Sequence, residues 1–175
     1  MNDPNPYQAP EAPLPSAPLA LDGAEVLAGR GERFGAALID GVIALATFLP
    51  LAALTGYFGR VMDAARGGEP MPWLTMAGYA VLSFVVFLVV QGYPLAKTGQ
   101  TWGKKLLWIR IADLEGGQPP LWRLIALRYL PTQLLALVPV AGNFYALVDA
   151  LFIFRKDKRC LHDLIAGTQV VNVRR

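Results

Sequence analysis

Charged positions are sparse and unevenly spaced along the 175-residue chain. An apolar run opens at Arg33, takes in Asp40, and then continues to Phe58 without another charge. About 20 apolar residues cross a bilayer core of about 30 Å, so this run predicts a membrane helix, with Pro50 as a kink inside it. Gly59 to Pro72 is a polar connection, and Gly67-Gly68-Glu69-Pro70 marks a turn. A second span is expected over 73–95, rich in Val, Leu and Phe. Trp73 and Tyr93 stand at its ends, where amphipathic rings prefer the membrane interface. Leu106 to Ala112 reads as a short strand and Asp113 to Gly117 as its turn.

From Leu121 to Phe154 the chain is apolar again, interrupted by Arg123, Arg128, Pro131, Pro139 and Gly142-Asn143. One reading is a single span over about 132–154. The other is a helix at about 121–138 followed by a second at about 142–154. The flanks favour the second. Residues 97–123 carry five basic side chains and 155–159 are as basic, so both flanks are expected in the cytoplasm, with an even number of crossings, or none, between them. Each piece is short for a full span, which fits a tilted or re-entrant hairpin. Gln169 to Val173 alternates as a strand and is placed to pair with Leu106 to Ala112. The expected fold is therefore an all-α polytopic membrane protein. It has a bundle of three to four membrane helices and a small cytoplasmic β-hairpin or two-stranded sheet.

Composition agrees: 54 % of residues are hydrophobic, 17 % are charged, and the mean hydropathy is +0.39. Residues 1–30 differ from the rest, with proline at positions 4, 6, 10, 13, 15 and 18. Such a segment cannot bury a core and is read as a disordered tail, leaving 31–173 as the transmembrane domain. It lacks a basic stretch followed by an apolar one, so it is not read as a signal peptide. Asn5-Pro6-Tyr7-Gln8-Ala9-Pro10 is either a docking peptide or plain leader, and composition favours leader. The net charge of +3 does not point to nucleic acid. Twelve of the 16 Lys and Arg lie from Lys97 onward beside apolar segments, the pattern of cytoplasmic loops. The single Cys160 excludes an internal disulfide, and the single His162 leaves too few soft ligands for zinc. No metal or cofactor is expected.

An acid within an apolar span is a functional-site candidate by default. Arg33 and Asp40 are two helical turns apart, about 10 Å, on nearly the same face. Ala36, Ala37, Gly41, Ile43 and Ala44 surround Asp40 and predict close approach of another helix near Gly41. Two readings of Asp40 stay open: a packing hydrogen bond or an active role. Arg33 can pair with an acid or snorkel to lipid phosphate. Asp149 is a second acid at membrane depth. The loop Thr98-Gly99-Gln100-Thr101-Trp102-Gly103-Lys104-Lys105 resembles half a phosphate loop. Its glycines are one residue too close, and Lys105 stands where Ser or Thr would hold magnesium. Cys160, His162 and Asp163 are nucleophile-type residues, but they are sequence neighbours with nothing to supply an oxyanion hole, so no enzyme is expected. His162 is expected to hydrogen-bond near the membrane surface, and Asp163 to cap a turn at Leu164. Lys156, Lys158 and Arg159 read as topology signals drawn to anionic lipid head groups.

Four pieces stand in a fixed order: the Arg33…Asp40 helix start, the 98–105 loop, the Gly116-Gly117 turn with its basic helix, and Leu161-His162-Asp163-Leu164-Ile165-Ala166-Gly167-Thr168. Together they resemble the RDD family of bacterial membrane proteins, named for one arginine and two aspartates. The resemblance covers about residues 30–173. By position it carries the family arginine to Arg33 and the first aspartate to Asp40. The second falls on Asp163, with Asp149 as the alternative. Trp102 stands where many members have proline. The resemblance implies a small multi-pass inner-membrane protein, here with both termini cytoplasmic, and some members look like cation/proton antiporters.

Two functions follow. One is a structural or regulatory membrane subunit in which Arg33, Asp40, Asp163 and Asp149 form a polar cluster. The loop motif (Thr98, Gly99, Gln100, Thr101, Gly103, Lys104) and the C-terminal motif (His162, Asp163, Gly167, Thr168) support that cluster. The alternative is a proton-coupled carrier of a cation or small solute, acting as a homo-oligomer. Three or four short helices are little material for two transport states, which favours the first. The expected partners are the lipid bilayer, anionic head groups, and a second copy or another membrane protein.

Overall fold

A computed structural model describes residues 26–173; the Pro-rich tail, its docking-peptide reading included, lies outside them up to residue 25. The protein is mostly helical with one two-stranded antiparallel sheet. Helix α1 spans Arg30–Leu54. Its start is fixed by Glu32, whose carboxylate accepts the Gly29 N–H at 2.6 Å and lies at the positive end of the helix dipole. Helix α1 ends four residues before the expected Phe58, because Gly56 takes the left-handed conformation at φ +72°.

The expected polar connection over 59–72 is instead largely helical: α2 spans Tyr57–Gly67 and stops at left-handed Gly68. Its charges hid an amphipathic period. Tyr57, Val61 and Ala64 share one face, and Tyr57 meets Tyr79 at a ring separation of 4.6 Å. Helix α3 spans Trp73–Thr98. Pro94 lies inside it and cannot donate to the Val90 carbonyl one turn back; the Trp102 indole N–H does so at 2.8 Å. This gives the tryptophan at that position a physical role.

A short helix α4 (Trp102–Leu106) turns the chain into β1 (Ile109–Asp113). Strand β1 pairs with β2 (Thr168–Asn172), Ile111 opposite Val170. On the other edge of β2, Leu27 bridges Val171 and Ala28 is fully buried, so packing begins ahead of position 31. Ala28, Ala36, Ile109 and Val170 form one apolar core, and Leu95, Ile111 and Leu124 form another.

The 121–154 stretch follows the two-helix reading. Helix α5 (Leu121–Arg123) runs through a π-helical turn (Leu124–Tyr129) into α6 (Leu130–Ala136). After a break, α7 spans Pro139–Leu151, with Pro139 at the first turn, where a missing N–H does no harm. Arg30 donates to the Ile153 carbonyl at 3.1 Å and so caps that helical end. Helix α8 (Leu161–Ala166) ends at left-handed Gly167 and leads into β2.

Among the described residues, helices α1 and α3 are long and apolar enough to cross a membrane. Their most apolar 18-residue windows are only 6 % and 0 % buried within the chain. A water-soluble core helix would be mostly covered; these two present Phe34, Leu38, Val42, Leu45 and Leu49, and Val81, Val85 and Val89, outward. Among the described residues, no helix of the same chain makes the close approach expected at Gly41. Gly41 is exposed, and an added Cβ there would meet nothing within 4 Å. The tight contact lies farther back, where α4 comes so near α1 that a Cβ on Gly103 would lie 2.3 Å from the Ala36 carbonyl oxygen.

Candidate functional site

Asp163 is the most constrained group. It is the third residue of α8, and its carboxylate reaches back to accept the Cys160 N–H at 3.1 Å, a capping interaction in which Cys160, not Asp163, occupies the cap. Its side chain is fully buried. Arg33 from α1 pairs with one oxygen and Arg128 from the π-helical turn with the other. Arg128 also donates to Thr168 Oγ1 at 2.7 Å, and Arg33 to the Lys158 carbonyl. One carboxylate thus ties α1, the π-helical turn, α8 and the first residue of β2. Burial alone would raise the Asp163 pKa; the charges of Arg128 and Arg33 overrule it and hold the carboxyl well below the usual range. Arg33 does not snorkel: its side chain is 8 % exposed.

Asp40 is bound elsewhere. It accepts Gln91 Nε2 at 3.0 Å, the Gly103 N–H at 2.8 Å and the Thr101 hydroxyl. Gln91 completes the contact by accepting the Trp102 N–H at 2.9 Å. Asp40 therefore caps the start of α4 from a different helix. The loop residues each have a part in this. Thr98 bonds back to the Pro94 carbonyl, Gly99 turns with φ +66° against the Ile111 carbonyl, and Gln100 donates to the Ile109 carbonyl at 2.9 Å. Thr101 holds Asp40, and Gly103 permits the approach. Lys104 Nζ stands 4.0 Å from Asp40 and is 15 % exposed. Burial, with Arg128 nearby, pushes its pKa down to about 8 despite Asp40.

Asp149 does not pair with either arginine among the described residues; it accepts His162 through both the backbone N–H (2.8 Å) and the ring Nδ1 (2.7 Å to Oδ2). His162 Nε2 in turn faces Asp163 at 3.7 Å. Burial, then Arg128, lowers the His162 pKa, so the ring is neutral at pH 7. The four acids and bases expected in one cluster thus divide. Arg33 pairs directly with Asp163, and Asp149 pairs with His162 beside them, while Asp40 belongs to the loop. A cavity of about 600 Å³ lies between the two groups, with Asp40, Lys104, Arg128, Asp149 and His162 at its polar end. Asp149, Cys160 and His162 also bring three metal-type ligand atoms within 4.8 Å of one another. Those atoms are already engaged: His162 Nδ1 with Asp149, and Cys160 Sγ with Arg33 at 3.4 Å.

A model of the RDD family matches residues 27–167, which takes in α1 to α8 and stops just before β2. The chain belongs to the RDD family. A relative from Bacillus subtilis (strain 168), described as the uncharacterized protein YckC, is 32 % identical over 143 residues. That alignment covers 82 % of this chain and 83 % of the relative. No solved structure matches. Family and helices together make this a membrane protein of unknown function. Within the RDD domain, two residues that sequence reasoning passed over hold the two sites together. Arg128 is a cation inside an apolar stretch, and Gln91 is the one amide inside α3. Gln91 was visible as a polar group inside an apolar span, the signal already used for Asp40.

Proposed function

We propose that this RDD protein is a structural or regulatory subunit of the bacterial inner membrane, in which Asp163 fastens the membrane helices to the cytoplasmic sheet. The observation that carries the reading is the fully buried Asp163 with a different arginine on each oxygen. A carboxylate held this far below its usual pKa does not exchange protons near neutrality, so it serves packing. Asp40 serves likewise as the anchor of the 98–105 loop, and Asp149 as the partner of His162. The reading is non-enzymatic: burial pushes the Cys160 thiol up to about 11, far from a ready nucleophile.

The proposed topology has both termini and the 97–123 loop in the cytoplasm, with 59–72 on the opposite side. The basic residues support it. Segments 121–136 and 139–151 are about 24 and 20 Å long as helices, short of the hydrocarbon core, and are read as a tilted or re-entrant hairpin. The domain is read as beginning ahead of residue 31, where Leu27 and Ala28 join the sheet and the core, with the Pro-rich segment before it as its tail. The outward apolar stripes contact lipid or a second copy, and Lys156, Lys158 and Arg159 contact anionic head groups.

Asp40 lines the cavity, and this favours a second reading as a proton-coupled carrier. Purified protein in liposomes with an internal pH dye separates the two under a sodium or potassium gradient. The structural reading expects no proton movement by the wild type. Movement that Asp40→Asn abolishes overturns it in favour of the carrier.

A further inference from the structure

We infer that the cavity between α1, α3 and the π-helical turn binds a single-chain anionic amphiphile, its head on Lys104 and Tyr129 and its chain between Phe48, Phe84 and Phe87. The volume, about 600 Å³, lies within the usual range for a ligand site. At roughly 30 Å³ per water-sized group it holds about twenty non-hydrogen atoms, one acyl chain with its head and not two.

The sign of the head follows from which polar groups remain unspent. The acceptors are engaged: Asp40 takes Gln91, Thr101 and Gly103, and Asp149 takes His162. The donors are not. Tyr129 Oη is buried without a hydrogen-bond partner among the described residues. Lys104 Nζ stands 3.5 Å from Thr101 Oγ1 and 4.0 Å from Asp40, both long. An unpartnered hydroxyl and a weakly engaged ammonium lining one cavity select an anionic acceptor, a carboxylate or a phosphate. The chain follows from the walls. Phe48 from α1 and Phe84 and Phe87 from α3 line the same cavity, and the Phe87 ring lies 4.7 Å from that of Tyr129. Polar head site and apolar shaft are therefore contiguous, so a small soluble anion would leave the shaft unfilled. The inference is independent of whether the domain is structural or a carrier.

The test uses the full chain in phosphatidylcholine nanodiscs with palmitate carrying a photoreactive diazirine in its chain. Labelled peptides are mapped by mass spectrometry. Saturable labelling on the Phe48, Phe84 and Phe87 segments is expected, competed by palmitate or dodecyl phosphate and not by methyl palmitate or dodecylphosphocholine. The stronger competitor of the first two tells a free fatty acid from a phosphate-headed lipid. Lys104→Met is expected to weaken half-saturation about tenfold, the loss of one charged hydrogen bond, and Tyr129→Phe to weaken it less. Phe84→Trp leaves the polar end intact and fills the shaft, and should abolish the labelling. Equal competition by methyl palmitate, unchanged labelling in folded Lys104→Met and Phe84→Trp, or labelling only at the outward Val85 and Val89 face overturns the proposal.

Discussion

Gly103→Ala tests the junction between α1 and α4 with a single methyl group. Its Cβ would lie 2.3 Å from the Ala36 carbonyl oxygen and 2.9 Å from Asp40 Oδ1. Neither neighbour is the free end of a long side chain: one is helix backbone and the other is a carboxylate held by three further contacts. Helix α4 must retreat by about 1 Å to reach ordinary contact, which stretches the 2.8 Å Gly103–Asp40 bond out of range. Overpacking of this kind destabilises by about 1–3 kcal/mol, and a lost bond to a charged acceptor by about 1.5–3 kcal/mol. Better helix propensity returns about 1 kcal/mol, leaving a net loss of about 1.5–5 kcal/mol. The control is Gly41→Ala, where nothing lies within 4 Å and the same propensity gain is expected to leave stability equal or higher. Equilibrium unfolding in mixed micelles, followed by tryptophan fluorescence, measures both. A Gly103→Ala variant within about 0.5 kcal/mol of wild type, or an equal loss for Gly41→Ala, refutes the junction.

Trp102→Phe keeps the ring and removes the indole donor to Val90. It should destabilise by about 1 kcal/mol in the same titration, whereas Trp122→Phe, on an exposed side chain, should not. Lys104 has its pKa lowered from 10.5 to about 8, so between those values the unfolded chain binds the extra proton. Stability should therefore rise from pH 8 to 10.5 by an increment that Lys104→Met lacks; identical profiles count against a buried ammonium. For topology, cysteines placed singly in a Cys160→Ala background are probed with an impermeant thiol reagent on intact cells. Gly67→Cys should react and Gln169→Cys should not, and the reverse pattern inverts the orientation.

Long-range pairing divided what the sequence disclosed from what it withheld. Period and composition were enough for α1 and α3, for the two strands and for the break near Val138, because each depends on local pattern. Helix α2 was missed because its Arg60, Asp63 and Arg66 read as loop, although Tyr57, Val61 and Ala64 keep the helical spacing. Gly41 was misjudged because small residues mark close approach on either side of a helix, and only the fold shows that α4 lands on Ala36. At the site, Arg33, Asp40, Asp149 and Asp163 were recognisable as costly charges. Arg33 and Asp163, 130 positions apart, were placed in one cluster, but the loop partners of Asp40, the His162 partner of Asp149 and the second arginine on Asp163 were not foreseen. Nothing local distinguished Arg128 from a membrane-flanking cation.

The central claim is that Asp163 holds two arginines and, through them, the helices to the sheet. Removing the acid alone, Asp163→Leu, leaves two buried cations unpaired and should destabilise by about 3–5 kcal/mol. Removing all three charges, Arg33→Met, Arg128→Met and Asp163→Leu together, should restore at least half of that loss, because paired buried ions are replaceable by apolar groups of like size. The measurement is the unfolding free energy of the single and triple variants in one micelle system. A triple variant more stable than Asp163→Leu alone is the result the account predicts. Losses that simply add, or an Asp163→Leu variant as stable as wild type, would contradict it.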